Sequence, residues 1–171
     1  EGHSPHKTKP QCELADLLLC VRRELPSGQL QREQAMLVQA KVANRFDTLP
    51  GGKSTKKERL LYEKCDRNQD ITLFSGVNKG TPIGVYQLGD WFNEELHGLH
   101  DCARFLLMAK APWAKFSNFI GPLQVGWPIN RKNHVGPTEP YLDVIINMAE
   151  GVQPRFGREV KIGASALNCA W

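Results

Sequence analysis

Three polar residues interrupt two apolar segments near the start of the chain, and their side chains could bind and use a metal ion. They are Asp16 in the segment 14–21 (LADLLLCV), and Gln39 and Lys41 in the segment 35–42 (AMLVQAKV). A hard divalent cation prefers oxygen ligands, which a carboxylate and a side-chain amide carbonyl supply. A lysine beside the ion can orient or deprotonate a water molecule, or offset charge on a phosphate. These residue types therefore predict metal-assisted chemistry.

The sequence between the two segments predicts that they fold back on each other as a hairpin. Residues 26–29 (PSGQ) supply a proline that fixes the entry to a turn and a glycine that can adopt a positive φ angle. If the hairpin is centred between that serine and glycine, opposed residues have numbers that add up to 55, so Asp16 lies opposite Gln39. Opposed residues point to the same face of the sheet, and Lys41, two residues further on, shares that face.

The shared face predicts a role for each residue. Asp16 is the best-placed metal ligand, Gln39 is a weaker ligand or positions a water molecule, and the backbone carbonyl of Ala40 is a third candidate ligand. Lys41 would stabilise charge or assist a base. An alternative stays open, in which Asp16 and Lys41 form an ordinary ion pair on a half-exposed sheet face and Gln39 has no special role. A bulge in the loop would also shift the register.

The motif formed by these segments resembles that of a nuclease superfamily. Residues 13–16 (ELAD), the apolar strand, the turn and residues 38–41 (VQAK) resemble the PD-(D/E)XK nucleases, whose core motif is an Asp on one strand and Glu-x-Lys or Gln-x-Lys on the next. The Gln-Ala-Lys variant is similar to that of Mrr-type restriction enzymes. The resemblance covers residues 12 to 42 closely. It implies an α/β fold with a restriction-endonuclease-like core, a central mixed β-sheet flanked by helices, and cleavage of DNA phosphodiester bonds with Mg²⁺ or Mn²⁺.

The chain departs from the family pattern in two places. Gln39 stands where Glu is commoner, which removes one negative charge from the metal site. The family also usually has an acidic residue on a helix before the Asp strand, and little sequence precedes Asp16 in a chain numbered from Glu1. We therefore expect residues 1–171 to form a single nuclease-like domain that lacks this upstream helix. Both departures keep an alternative open: a weakly active or inactive nuclease-fold module that binds nucleic acid or a protein partner.

Glu13 is a candidate substitute for the missing acid. It lies three residues before Asp16. On a regular strand, residues three apart point to opposite faces of the sheet. Glu13 would therefore reach the metal site only if the backbone bulges between the two acids.

A cluster of basic residues follows the hairpin and could contact phosphates. We call these residues the basic group: Lys53, Lys56, Lys57 and Arg59. Lysine and arginine contacts to phosphates supply most of the sequence-independent affinity for DNA, and the net charge of +4 suits a polyanionic partner. The alternative is an ordinary solvated surface. Three tryptophans could stack on unpaired bases or pack in the core: Trp91, Trp113 and Trp127.

The segment around the basic group predicts a turn followed by a helix. Residues 51–55 (GGKST) do not form a phosphate-binding loop, because that pattern needs a glycine where this chain has Asp47. Nucleotide hydrolysis at this loop is therefore excluded. Residues 55–66 (TKKERLLYEKCD) predict an amphipathic helix, with Ser54 or Thr55 as its cap. The candidates for its buried side are Leu60, Leu61 and Cys65.

The rest of the chain predicts a mixture of strands and helices. Strands are predicted at residues 71–74 and 84–88, and a helix is predicted at residues 140–150, with proline at its start and Gly151 after its end. The apolar run at 99–110 fits a helix or a strand, because it lacks a clean period. Residues 113–127 are rich in proline, glycine and aromatic residues and predict a long ordered loop.

Composition agrees with this interpretation without deciding the function. A hydrophobic fraction of 41% and a charged fraction of 23% are typical of a soluble globular domain. The apolar stretches are far shorter than a membrane span and the start does not resemble a signal peptide, so no membrane association is expected. The 5 cysteines, an odd number without a CxxC pair, indicate reduced thiols in a cytoplasm. DNA is the expected partner, and a homodimer is an open alternative.

Overall fold

A mixed α/β arrangement of strands and helices is observed, as the sequence predicts for the fold class. A computed structural model of the chain describes residues 12–67, 71–74, 80–86, 98–111, 121–129, 132–151, 157–159, 161–162 and 169–170. The strands are β1 (Leu17–Glu24), β2 (Leu30–Ala43), β3 (Ile71–Phe74), β4 (Pro82–Tyr86), β5 (Ala103–Ala109), β6 (Leu123–Gly126), β7 (Glu139–Pro140), β8 (Arg158–Glu159), β9 (Lys161–Ile162) and β10 (Cys169–Ala170). The helices are α1 (Lys53–Lys64) and α2 (Tyr141–Glu150).

The main sheet has the strand order β1-β2-β5-β6-β7, and β8 adds a short pairing to β2. The pair β2–β5 is parallel, whereas the other pairs in this sheet are antiparallel. Parallel neighbours need a crossover connection, and the chain between β2 and β5 contains α1. Strands β3 and β4 pair with each other in a separate small sheet, and so do β9 and β10. The hairpin β1–β2 therefore lies at one edge of a mixed sheet.

The register of the hairpin is the one predicted from the turn sequence. Paired residues from Leu17↔Val38 to Arg23↔Arg32 have numbers that add up to 55, and the register shifts only after Arg23. Gly28 has a φ angle of 80°, which the turn requires and which glycine adopts without a steric penalty. Alternation of side chains along both strands then fixes which residues share a face.

The ambiguous apolar run at 99–110 contains a strand, β5. Its first five residues are all buried, with no alternation between exposed and buried positions. Both of its faces are covered, because Phe105 and Leu107 pack in one apolar cluster and Leu106 packs in another on the opposite face. A strand buried on both faces is a continuous apolar run, and the sequence period alone does not distinguish it from a buried helix.

Two apolar clusters lie on opposite faces of the sheet. The first, here the α1-side core, contains Leu37 and Ala43 of β2 together with Tyr62 and Cys65 from α1 and the residue that follows it. The second, here the α2-side core, contains Met36 and Val38 of β2 together with Val144 and Met148 of α2. Since successive residues of β2 point to opposite faces, one strand contributes to both clusters.

The start of α1 differs from the prediction. The residue before the helix is Gly52, and no side chain caps the first turn. Ser54 lies inside the helix, and its hydroxyl donates a hydrogen bond to the carboxylate of Glu58, 2.6 Å away. Thr55 is buried. The predicted cap was therefore wrong, because both hydroxyl residues lie within the first turn rather than before it.

The buried side of α1 also differs from the prediction. Leu60, expected to be buried, is exposed, whereas Cys65 is buried as expected. The buried residues of the helix are Thr55, Glu58 and Tyr62. These residues are three and four positions apart and so share one face of the helix. An acidic residue in the middle of this face is the unexpected feature.

Three further predictions are settled by the remaining elements. The predicted helix at 140–150 is confirmed as α2, and Gly151 ends it in the left-handed conformation with φ 71°. The predicted loop at 113–127 was wrong in part, because β6 lies within it; residues 112–120 fall outside the described ranges. The strand predicted at 71–74 is confirmed as β3.

Neither helix in the described ranges combines the length and apolar character that crossing a membrane would require.

Candidate functional site

Asp16 meets the second strand at the position expected from the register. It lies immediately before β1 and is exposed. Its Oδ2 atom accepts a hydrogen bond from Nε2 of Gln39 at 2.5 Å and another from the backbone N–H of Ala40 at 2.7 Å. Its own N–H donates to the carbonyl oxygen of Val38 at 3.0 Å. The end of the hairpin thus brings a carboxylate, an amide and a backbone segment together.

Gln39 carries a buried oxygen that nothing in the described ranges satisfies. Its side chain is fully buried, and its Oε1 atom has no hydrogen-bond partner among the described residues. Leaving a buried acceptor unsatisfied costs about 1–3 kcal/mol. Because Nε2 is bonded to Asp16, the free Oε1 can accept a bond from a water molecule or bind a cation.

Ala40 presents a second carbonyl oxygen on the same side of β2. The N–H and C=O of one strand residue point toward the same neighbouring strand. The Ala40 N–H is bonded to Asp16, so the Ala40 carbonyl also points toward the β1 side. The β1–β2 ladder ends at Leu17↔Val38, so Ala40 lies beyond its last pair. The Ala40 carbonyl therefore remains a candidate ligand.

Lys41 pairs with an acid from α1 rather than with Asp16. Its Nζ atom lies 2.8 Å from Oε2 of Glu58, and the two side chains are only 16% and 3% exposed. The Asp16–Lys41 ion pair that the sequence left open is thus replaced by a Lys41–Glu58 pair. Glu58 was missed in the sequence, although one signal was present: it lies on the same helical face as Tyr62, four residues later.

Tyr62 is the third polar residue on this face of the helix. Its side chain is fully buried, and its hydroxyl has no hydrogen-bond partner among the described residues. Burial is the main cause that raises the pKa of Tyr62 far above its usual value, and the nearby charges of Cys102, Asp16 and Glu58 raise it further. The phenol therefore stays neutral, and the carboxylates of Asp16 and Glu58 both disfavour its ionised form.

The oxygen donors at the end of the hairpin fit a hard divalent cation, with Asp16 as the carboxylate among them. No three His, Cys, Asp or Glu side chains in the described ranges come together to hold a metal ion. The available donors are the Asp16 carboxylate, Oε1 of Gln39 and the Ala40 carbonyl, all of which are oxygen atoms. The unsatisfied Oε1 is the observation that favours a cation at this position.

Glu13, the candidate substitute acid, lies outside β1. It is exposed and precedes the first strand by several residues. The expectation that it faces away from Asp16 assumed a regular strand, and the backbone at residues 12–16 is not one. Its suggested role as a metal ligand stays a prediction.

The basic group divides into exposed lysines and a paired arginine. Lys53, Lys56 and Lys57 are exposed on α1. Arg59 donates from Nη2 to Oε1 of Glu63 at 2.7 Å, and its side chain is only 17% exposed. The three lysines therefore remain candidates for phosphate contact, while the charge of Arg59 is already offset. Lys57 precedes Glu58 in the chain, but successive residues of a helix do not share a face, so the exposed lysines and the buried Glu58 lie on different faces of α1.

The tryptophan and cysteine predictions have different outcomes. Trp127 packs against the core: its ring stacks on Tyr62 at a centroid distance of 6.2 Å, and the guanidinium of Arg104 lies 5.6 Å from its centroid. Packing is thus its role in the fold. Trp91 and Trp113 lie outside the described residues.

The cysteines with described side chains all carry free thiols: Cys12, Cys20, Cys65 and Cys102.

Comparisons of the chain with protein-family models, with curated proteins and with solved structures find no significant match. The chemistry of the site therefore has to be argued from its own residues: the Asp16–Gln39 contact, the unsatisfied Oε1 of Gln39 and the Lys41–Glu58 pair.

Proposed function

We propose that the protein is a metal-dependent nuclease that cleaves DNA phosphodiester bonds with Mg²⁺ or Mn²⁺. The observation that carries the proposal is the contact of the Asp16 carboxylate with Gln39, whose buried Oε1 atom has no hydrogen-bond partner in the described part of the chain. Lys41, two residues further along β2, adds a positive charge on the same face. A carboxylate, an amide oxygen and a lysine together match the needs of phosphodiester cleavage.

Each residue has a role that follows from its contacts. Asp16 and the carbonyl oxygens of Gln39 and Ala40 would hold the ion. Bound there, Mg²⁺ would supply a Lewis acid for a phosphoryl oxygen and lower the pKa of a water molecule. The Lys41 ammonium has three protons to donate, and only one is needed for Glu58. Its other donors can orient the attacking water or stabilise negative charge developing on the phosphate.

The substrate class follows from charge. The exposed lysines of the basic group lie on the helix whose buried face carries Glu58. Along a helix each residue rises about 1.5 Å, so Lys53 lies within about 8 Å of Glu58 along the axis. A polyanion held by these lysines would lie along the exposed face of α1, the helix whose other face carries Glu58. This supports a nucleic acid substrate, and DNA is the member of that class which the motif favours.

The test is single-turnover cleavage of plasmid and linear DNA by the full-length protein, with Mg²⁺, with Mn²⁺ and with a chelator. Asp16→Ala should abolish cleavage, and added Mn²⁺ should not restore it, because the only carboxylate among the proposed ligands is gone. Asp143→Ala is the matched control, since it removes an exposed acid from the start of α2, and should cleave like the wild type. Cleavage that survives Asp16→Ala, or a wild type that is inactive with both metals, would contradict the proposal.

A second candidate function is a nuclease-fold module that binds nucleic acid or a protein without cleaving. This candidate is favoured because the polar side chains of the site already bind to other groups of the protein. Asp16 accepts two hydrogen bonds, and Lys41 forms an ion pair with Glu58. Thermal unfolding with Mn²⁺ separates the two candidates. An active site should give a metal-dependent increase in the melting temperature that Asp16→Ala removes. A binding module should give no such shift while it retains its affinity for DNA or for its protein partner.

A further inference from the structure

We propose that Glu58 is a positioning residue that fixes the Lys41 ammonium for catalysis, an inference that rests on the proposed nuclease function. Glu58 lies on α1 and Lys41 lies on β2, and their charged atoms are 2.8 Å apart. The other oxygen of the Glu58 carboxylate accepts a hydrogen bond from Ser54 at 2.6 Å. One carboxylate thus connects the first turn of the helix to the lysine of the site.

The burial of Glu58 indicates that its ion pair with Lys41 does more than stabilise the fold. Its side chain is 3% exposed, and a buried ion pair of this kind is often no more stable than two packed apolar residues. Lysine has a long flexible side chain, so an unpaired ammonium would sample several positions. Pairing with a carboxylate on a rigid helix restricts it to one position. A reacting group held in a fixed place contributes far more to the rate than a mobile one.

A second ion pair on the same helix provides the contrast. Glu63 pairs with Arg59 four residues earlier, at 2.7 Å, so this pair connects the helix only to itself. Its acid is 29% exposed, compared with 3% for Glu58. Pairs of this kind contribute little to stability, and both partners belong to α1. Glu63 is therefore a matched control for Glu58.

The experiment is a double-mutant cycle measured by single-turnover DNA cleavage at saturating protein. Four proteins are compared: wild type, Glu58→Gln, Lys41→Ala and the double variant. In the wild-type background Glu58→Gln should lower the rate about tenfold or more, because the ammonium loses its fixed position. In the Lys41→Ala background the same change should have less than about a twofold effect, since Glu58 acts through Lys41. Glu63→Gln should stay within about twofold of wild type.

Loss of folding is controlled by a second variant. Glu58→Gln leaves a lysine without its partner in a site that is mostly buried, so thermal unfolding is recorded for every protein. Ser54→Ala keeps both charges and removes only the hydroxyl that orients Glu58, so it should fold like the wild type and cleave about two- to fivefold more slowly. If Glu58→Gln does not fold, a normal rate in Ser54→Ala overturns the inference.

The outcomes separate this inference from the proposed function. If the wild type cleaves and Glu58→Gln costs as much in the Lys41→Ala background as in the wild type, Glu58 does not act through Lys41. The nuclease proposal then stands and the positioning role fails. If the wild type does not cleave DNA with either metal, both fail together. If the cycle is non-additive as expected and Glu63→Gln is neutral, Glu58 is the positioning residue.

Discussion

The two faces of β2 are built differently, although they belong to one strand. The face toward α2 presents Met36 and Val38, which are fully buried among apolar side chains. The face toward α1 presents Gln39 and Lys41 between its apolar residues, together with the buried acid Glu58. The α2-side face of β2 also carries one buried amide, Gln34, but the buried ion pair of Lys41 and Glu58 lies on the α1-side face. A face selected for stability alone would resemble the α2-side face.

The difference has an energetic consequence. Each apolar side chain on the α2-side face contributes about 1.5–3 kcal/mol through burial. On the α1-side face, the buried polar atoms without a hydrogen-bond partner among the described residues include Oε1 of Gln39 and the hydroxyl of Tyr62. Unsatisfied groups and buried ion pairs reduce stability relative to an apolar core. The α1-side face thus remains polar at a cost in stability, which is typical of functional sites.

The largest expected effect comes from making the α1-side face apolar. Lys41→Met combined with Glu58→Leu should lower DNA cleavage by about two orders of magnitude or more, since a positioned acid–base group contributes that much. Its free energy of unfolding should be unchanged or higher by about 1–4 kcal/mol, because no charge remains buried. Lys41→Ala alone should lose similar activity but be destabilised by about 3–5 kcal/mol, as Glu58 is left unpaired. Single-turnover cleavage and urea unfolding check both quantities.

The opposite result is expected on the α2-side face. Met36→Ala should lower the free energy of unfolding by about 2–5 kcal/mol, because it leaves a cavity in a well-packed cluster. The cleavage rate of the folded protein should stay near wild type, since Met36 points away from Asp16 and Lys41. Leu18→Ala, at an exposed position of the same hairpin, should change stability by less than about 0.5 kcal/mol. A drop in cleavage for folded Met36→Ala protein would show that the two faces are not independent.

Tyr62 gives the α1-side face a distinct pH dependence. The pKa of the Tyr62 hydroxyl is higher in the folded protein than in the unfolded chain. Below the unfolded-state pKa of about 10, the stabilising preference for the neutral phenol is fully present. Above that pH only the unfolded chain ionises, so the free energy of unfolding falls as the pH rises. Relative to Tyr62→Phe, the wild type should lose about 1.4 kcal/mol of stability per pH unit above pH 10. At pH 7 the substitution should be neutral or slightly stabilising, because the hydroxyl has no described partner. Urea unfolding between pH 7 and 11 measures the difference, and parallel curves would refute it.

The smallest expected effect concerns the exposed lysines of α1. Lys56→Ala with Lys57→Ala should reduce the slope of log affinity for DNA against log salt concentration by about two, or one per phosphate contact. Arg59→Ala should change this slope less than either lysine substitution, since Glu63 already offsets its charge. Fluorescence anisotropy at several salt concentrations gives the slopes. An unchanged slope in the double variant would show that the lysines are only solvated.

Part of this arrangement was readable in the sequence because the information is local. The turn at residues 26–29 and the alternation of the flanking strands define the register, which places Asp16 opposite Gln39. The proline and glycine around α2 define where that helix begins and ends. The spacing of Arg59 and Glu63 also indicates an ion pair within the helix, so the reduced availability of Arg59 could have been predicted.

Other features depended on contacts between distant segments. The apolar run at 99–110 contains a strand that pairs with β2 and β6 along its edges and is buried on both faces, so its sequence carries no period that identifies it. The acid that pairs with Lys41 could not be identified from the sequence for a related reason. From the hairpin alone Asp16 is the nearest acid, but the crossover to β5 includes the helix that carries Glu58.

Local sequence was enough to specify the hairpin, its register and the meeting of Asp16 with Gln39, because turn chemistry and side-chain alternation act over neighbouring residues. Contacts between distant segments set which acid pairs with Lys41, whether the side-chain oxygen of Gln39 finds a partner among the described residues, and which face of α1 is buried. These depend on how α1 lies against β2, and that packing is set by the burial of many side chains at once rather than by any local pattern.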